Sequence, residues 1–387
     1  MKKLILLFVF TVAVCACYGN PVLVAPVMDA PTIDGHVTEW ESALKLSSFY
    51  DLDQKTPYNG KSYVWLGCDD EKLYLAYKIH KSTKPKAVAT DREFGAFWED
   101  DDVEFFIQPN KNTPAGYQIL TNATGKFRDI CINSMPSKKL DIECAASVSP
   151  LYDKIGAKED ELFWEGEMSI TFESLGIDKN SQVGFSVLGT ILNKNKTSYY
   201  IYTDITNKSG ASDVFNTLKY GTLSFGDAPA LSFDSFDTTK FKTNKEITVI
   251  FKKGNEELVN QTCAPGDNSI ELPKGIYVTT AEFYDNNKLI YSNSVDFANL
   301  EIIKTDLDKK NNIYNITLDL SYFDPDKVSF INLYQGERVY MGYCLRSDRR
   351  HKVFNCPFDL NKLPKGTYDI SINVRDIINQ DLKVEVK

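Results

Sequence analysis

Short runs of aromatic and β-branched residues, broken at close intervals by Gly, Pro, Asn and Asp, dominate this chain and leave little room for helices. Tyr63-Val64-Trp65-Leu66-Gly67-Cys68 and the run from Lys72 to Ile79 are joined by Asp69-Asp70-Glu71, a composition that turns a hairpin. In the second run Leu73, Leu75, Tyr77 and Ile79 fall on one face of a period-2 strand. Val103 to Gln108 alternates in the same way and stops at Pro109. Further strands are predicted at Tyr117–Thr121, Phe163–Ile170, Val183–Thr190 and Ser198–Thr203. The best helical segment is short, Thr171 to Leu175, and ends at Gly176. Strands at this spacing make an all-β antiparallel sandwich or barrel rather than βαβ units.

A composition shift at Gly226-Asp227-Ala228-Pro229 marks a boundary, and beyond it lies a repeat. Leu272-Pro273-Lys274-Gly275-Ile276-Tyr277 recurs 91 residues later as Leu363-Pro364-Lys365-Gly366-Thr367-Tyr368. Each copy precedes an alternating strand and an Asn/Asp turn, and a period near 90 residues is one immunoglobulin-like sandwich. The expected organisation is therefore a leader (1–19), a large β-sandwich (20–227) and two immunoglobulin-like sandwiches (228–300 and 301–387). The last two are expected to act as spacers or as modules that dock on surface proteins.

The leader reading rests on Met1-Lys2-Lys3 followed by an apolar run from Leu4 to Ala16, which is a secretory pattern. Val14-Cys15-Ala16-Cys17 resembles a bacterial lipobox, with Cys17 as the lipidated residue; cleavage after Ala16 or Gly19 is the alternative. Both routes export the protein to the periplasm, the outer surface or the medium. The six remaining cysteines are then read as structural. Cys131 with Cys144 and Cys344 with Cys356 are spaced for bridges across hairpins, while Cys68 and Cys263 are expected as free, buried thiols. Without Lys2 and Lys3 the chain has 42 basic against 53 acidic residues and no dense basic run, a poor partner for nucleic acid. Three widely spaced histidines (His36, His80, His351) argue against a His-rich metal site.

Residues 31 to 226 carry the functional signal. Pro31-Thr32-Ile33-Asp34-Gly35 comes first, with Glu39-Trp40 after it, then Val64-Trp65 to Asp69 and Leu73-Tyr74-Leu75-Ala76. Phe97-Trp98-Glu99-Asp100-Asp101-Asp102-Val103-Glu104-Phe105-Phe106-Ile107 follows, then Tyr117 to Asn122, Trp164 to Ile170 and Tyr220-Gly221-Thr222-Leu223. This ordered series resembles the family 9 carbohydrate-binding module and the sandwich domains similar to it. The resemblance implies a two-sheet antiparallel jelly-roll sandwich that binds a polysaccharide or oligosaccharide without changing it. A pyranose offers an apolar C–H face and a belt of hydroxyls, so its site needs an aromatic platform and fixed carboxylates or amides. Trp98 matches the module's stacking tryptophan. Glu104 shares parity with Phe106 and Gln108, opposite to Val103, Phe105 and Ile107, and so points away from the core. Gln118, on one face with Asn122, is expected to add an amide, and Asn207 matches the module's amide position. The module's second stacking tryptophan is absent, with Gly210 in its place and Phe215 as the substitute. A basic residue of the module appears here as Leu120.

Asp100, Asp101 and Asp102 could donate oxygens to calcium, which the resemblance also suggests; a solvated turn is the alternative. Other functions stand beside glycan binding: a structural or adhesive scaffold, a haem domain using Met28, Met135 or Met168, and a glycoside hydrolase. No GxSxG, HExxH or phosphate-cradling glycine loop is present, and the protein is expected not to be an enzyme.

Overall fold

Alternation of apolar and polar residues decides which side of each strand is buried, and the first half of the chain obeys it closely. The computed structural model describes residues 21–47, 49–51, 61–89, 97–133, 136, 138–192, 197–201, 215, 217–235, 237–273, 276–299, 301–319, 328–335, 338–346, 353–374 and 377–386. The expected leader, the Cys17 lipidation site and Asn207 lie outside these residues.

The strands of the first half are β1 (Val22–Pro26), β2 (Leu44–Leu46), β3 (Tyr50–Asp51), β4 (Ser62–Cys68), β5 (Lys72–His80), β6 (Asp102–Gln108), β7 (Gly116–Asn122), β8 (Phe127–Ile132), β9 (Ile142–Val148), β10 (Phe163–Thr171), β11 (Val183–Leu192), β12 (Thr197–Ile201) and β13 (Gly221–Gly226). Helix α1 (Phe172–Leu175) is a single turn, capped at its start by the Thr171 hydroxyl and ended by Gly176 in the left-handed region at φ 72°. β4 and β5 form the expected hairpin, with Val64 opposite Tyr77 and Leu66 opposite Leu75. Leu73, Leu75, Tyr77 and Ile79 are fully buried. Facing them across the core are Val103, Phe105 and Ile107, also fully buried. Two mostly antiparallel sheets thus pack face to face: one contains β13-β11-β6-β7-β8, the other β2-β4-β5-β10-β9. The chain is all-β, as the alternation predicts. Among the described residues no helix is long and apolar enough to cross a membrane.

Neither sheet stops at residues 226–229. Residues 231–299 form β14 (Leu231–Ser232), β15 (Lys240–Thr243), β16 (Ile247–Lys253), β17 (Glu256–Cys263), β18 (Gly266–Ser269), β19 (Ile276–Asp285) and β20 (Lys288–Asn299). β20 pairs with β1, Val22 opposite Ser292, and so adds β17-β16-β19-β20 to the first sheet. β14 pairs with β2 at Ser232 and Lys45, and so adds β18-β15-β14 to the second. One apolar core runs through both parts, with Phe233, Phe241, Phe283 and Tyr291 at its far end.

The rest of the chain forms β21 (Glu301–Asp308), β22 (Ile313–Asp319), β23 (Val328–Gln335), β24 (Arg338–Arg346), β25 (Val353–Asp359), β26 (Gly366–Val374) and β27 (Ile377–Val386). They make sheets β21-β22-β25 and β24-β23-β26-β27. These share a separate core that includes Ile316, Phe358, Ile331 and Ile370.

The cysteines do not pair as their spacing predicts. Cys131, Cys144 and Cys356 are free thiols, as are the buried Cys68 and Cys263. Cys131 and Cys144 sit on β8 and β9, which are edge strands of different sheets rather than two arms of one hairpin. The Cys131 thiol donates to the Pro136 carbonyl at 3.3 Å, and the Cys144 sulfur lies 3.4 Å from the Thr121 hydroxyl. Cys356 is fully buried on β25, in a different sheet from β24, the strand of Cys344. Burial pushes the Cys144 and Cys356 thiols up to about 11, away from the reactive thiolate. Treatment with a reductant is therefore expected to leave the melting temperature unchanged; a clear fall on reduction would contradict this assignment.

Candidate functional site

Residues of β6 that point away from the core meet a patterned surface on the outer side of the first sheet. Antiparallel register aligns Glu104 with Leu120 and Arg128, and Phe106 with Gln118 and Ile130. Adjacent rows of this kind lie about 7 Å apart along a strand. Gln118 Nε2 donates to Glu104 Oε2 at 2.5 Å, so the carboxylate and the amide act as one fixed polar pair. Glu104 is 8% exposed, and burial raises its carboxyl to about 7 despite the lowering effect of the Gln118 hydrogen bond.

Trp98 stands at the edge of this surface in a 3-10 turn, Phe97–Glu99. Phe97 is fully buried against Ala89, Leu120 and Ile130, which fixes the turn, while Trp98 is 65% exposed. The Arg128 guanidinium lies 5.8 Å from the Trp98 ring centroid. Arg128 escaped the sequence reading. Parity puts it on one face with Ile130, on a strand entered from Gly125, but its place in the row of Leu120 comes from the hairpin register. Phe215, 44% exposed, has its ring 6.3 Å from Phe106 and its carbonyl accepting from Asn133 Nδ2 at 2.8 Å. Trp98 and Phe215 thus border the outer face that carries Glu104 and Gln118. Asn207 adds nothing here because it is outside the described residues.

The three aspartates are not a solvated turn. Asp100 and Asp101 are fully buried and Asp102 is 1% exposed. Asp100 accepts from Val88 N, Ala89 N and Asn122 Nδ2 at 2.7–2.9 Å. Asp101 accepts two bonds from Lys81 Nζ, at 2.7 and 2.8 Å, and others from Lys86 N and Leu192 N. These carboxylates clip the Trp98 turn to the 81–89 segment and to β11. Calcium would have to displace those N–H donors, and among the described residues no group of three acidic, His or Cys side chains could hold a metal. The donor set therefore does not fit the expected ion.

On the opposite sheet, Ser147, His36 and Glu165 have the residue types of a nucleophile, base and acid. Ser147 Oγ lies 3.2 Å and Glu165 Oε1 3.5 Å from the same ring atom, His36 Nδ1. A relay needs one partner on each ring nitrogen, so this trio cannot pass a proton from serine to base while the acid orients it. Met28 and Met168, two of the methionines considered for haem, are packed into apolar clusters; Met135 is outside the described residues.

No protein-family model matches this chain, and no curated protein matches it. Solved structures similar to it include a family 9 carbohydrate-binding module from Caldicellulosiruptor kristjanssonii in complex with cellotriose. That match has 14% identity and a TM-score of 0.36, and covers 54% of this chain and 94% of that one. The same module in complex with glucose matches at 13% identity and a TM-score of 0.36, covering 54% and 96%. A protein from Bacteroides uniformis ATCC 8492 to which carbohydrate binding is ascribed matches at 17% identity and a TM-score of 0.39, covering 53% of this chain and 98% of that one.

Proposed function

We propose that this protein binds a glycan without chemically altering it, on the outer face of the first sheet. The observation that carries the reading is an exposed Trp98 ring, next to Arg128 in the strand row of Glu104, at the edge of the face that holds the fixed Glu104–Gln118 pair. The indole receives the C–H face of a pyranose, and Glu104 and Gln118 take its hydroxyls. Phe215 supplies a second apolar wall. Such a shallow site gives a monovalent Kd of roughly 10–1000 μM. Export of the chain, an anchor at Cys17, a contribution from Asn207, and an immunoglobulin-like docking role for the modules after residue 228 belong to the same proposal.

A glycan array probed with the full chain identifies the ligand, and calorimetry on a hit tests the site. Glu104→Gln is expected to weaken binding about tenfold, since a charged acceptor bonds a hydroxyl more strongly than an amide by about 1.4 kcal/mol. Because burial raises the Glu104 carboxyl to about 7, affinity for a neutral sugar is expected to rise as the pH increases through 7, and this rise is expected to be absent in Glu104→Gln. Affinity that is flat with pH in the parent protein would count against Glu104 as the hydroxyl acceptor.

A further inference from the structure

Asp102 differs from the two aspartates before it. Its side chain is 1% exposed, and among the described residues neither oxygen has a hydrogen-bond partner. It heads the row next to Glu104 on the outward side of β6, with Asn122 opposite it on β7 and Thr190 opposite it on β11. Asn122 Nδ2 holds both the Ala89 carbonyl and Asp100 Oδ2, each at 2.9 Å, so the fastening of the Trp98 turn passes through the row of Asp102.

We infer that Asp102 is a proton-gated latch: neutral, it lets the turn that carries Trp98 stay fastened to the sheet, and ionised, it unfastens that turn. The charges around it explain the direction. Asp100, Asp101 and Glu104 share its strand and the turn before it, and all three are acidic. From the 81–89 segment comes Lys81, whose ammonium is held by Asp101, and Lys86, whose backbone N–H serves the same carboxylate. β7 and β11 present uncharged Asn122 and Thr190, and on β8 Arg128 lies beside Trp98. A buried anion without a partner is costly, and the Asn122 amide, opposite Asp102 on β7, is a donor able to answer it. An ionised Asp102 therefore draws Asn122 away from Asp100 and loosens the turn. Burial first, and the charge of Glu104 second, hold the Asp102 carboxyl well above its usual range. A carboxyl raised in the folded state gives stability that is complete below its unfolded value of about 4 and is lost as the pH rises through the folded value.

The consequence for ligand affinity rests on the glycan-site reading; the protonation and the movement of the turn do not, so they are tested without sugar. In the full chain labelled with carboxyl-13C aspartate, the signal missing from Asp102→Asn reports Asp102. It is expected to titrate well above 4, and a midpoint near 4 would overturn the proposal. The indole N–H signal missing from Trp98→Phe is expected to shift with the same midpoint in the parent protein and to lose the step at that midpoint in Asp102→Asn. An indole signal that does not follow Asp102 would also overturn it. Should Asp102→Asn fail to fold, Glu104→Gln serves instead: removing the neighbouring charge must lower the midpoint of the most basic aspartate signal, and an unmoved midpoint would contradict the proposal.

Discussion

Trp98→Ala is expected to weaken binding of a glycan ligand about 30-fold while leaving thermal unfolding unchanged. The two halves of this result have separate physical sources. An aromatic anchor at the centre of a small site typically carries about 2 kcal/mol, or roughly 30-fold in Kd. The same ring is 65% exposed in the free protein, and its turn is held by Phe97, Asp100 and Asp101 rather than by the indole. Surface truncations of that kind change stability by about 0.5 kcal/mol or less. Equal affinity in the variant, measured by calorimetry on a hit from the array, would remove Trp98 from the site.

Lys81→Met is expected to have the opposite profile, destabilising the fold by about 3 kcal/mol. Lys81 Nζ and Asp101 are bonded at 2.7 Å with side chains 4% and 0% exposed. Removing one member of a buried ion pair strands the other charge and costs about 3–5 kcal/mol. The lower end applies because Asp101 keeps the Lys86 and Leu192 backbone donors. Chemical denaturation of the variant checks the value, and a loss below about 1 kcal/mol would contradict the buried pair as a source of stability. The pair also fixes the segment before Trp98, so binding should fall with stability in this variant, whereas Trp98→Ala separates the two.

Local patterns in the sequence reported local structure well. The alternation of Leu73, Leu75, Tyr77 and Ile79 named a buried face because period 2 is a property of one strand, and Glu104 was assigned to the outward face by the same parity. What the pattern could not report was the company each outward residue keeps. Asp100, Asp101 and Asp102 read as a solvated turn because three adjacent acids usually face water. The donors to Asp100 and Asp101 come instead from Lys81, Val88, Asn122 and Leu192, up to 91 residues away in the chain. The cysteines failed for a related reason. A spacing of a dozen residues suits a hairpin bridge only if the two flanks pair with each other, and β8 and β9 turn into different sheets. The composition shift at 226–229 likewise marks a change in the chain but not a break in either sheet, since β1 and β2 reach across it. Arg128 shows the limit most plainly: its place beside Trp98 depends on the register of two hairpins, β6–β7 and β7–β8, which parity alone does not set.

The indole N–H signals of the four tryptophans during titration with a glycan hit test the glycan site most directly. Trp40 and Trp164 are buried at 3% and 0% exposure, Trp65 is half-buried on the other sheet, and Trp98 lies open. Sugar stacking on the proposed face moves the Trp98 signal in proportion to occupancy and leaves Trp40 and Trp164 where they are. A glycan that binds while the Trp98 signal stays still would show that recognition takes place elsewhere on the molecule.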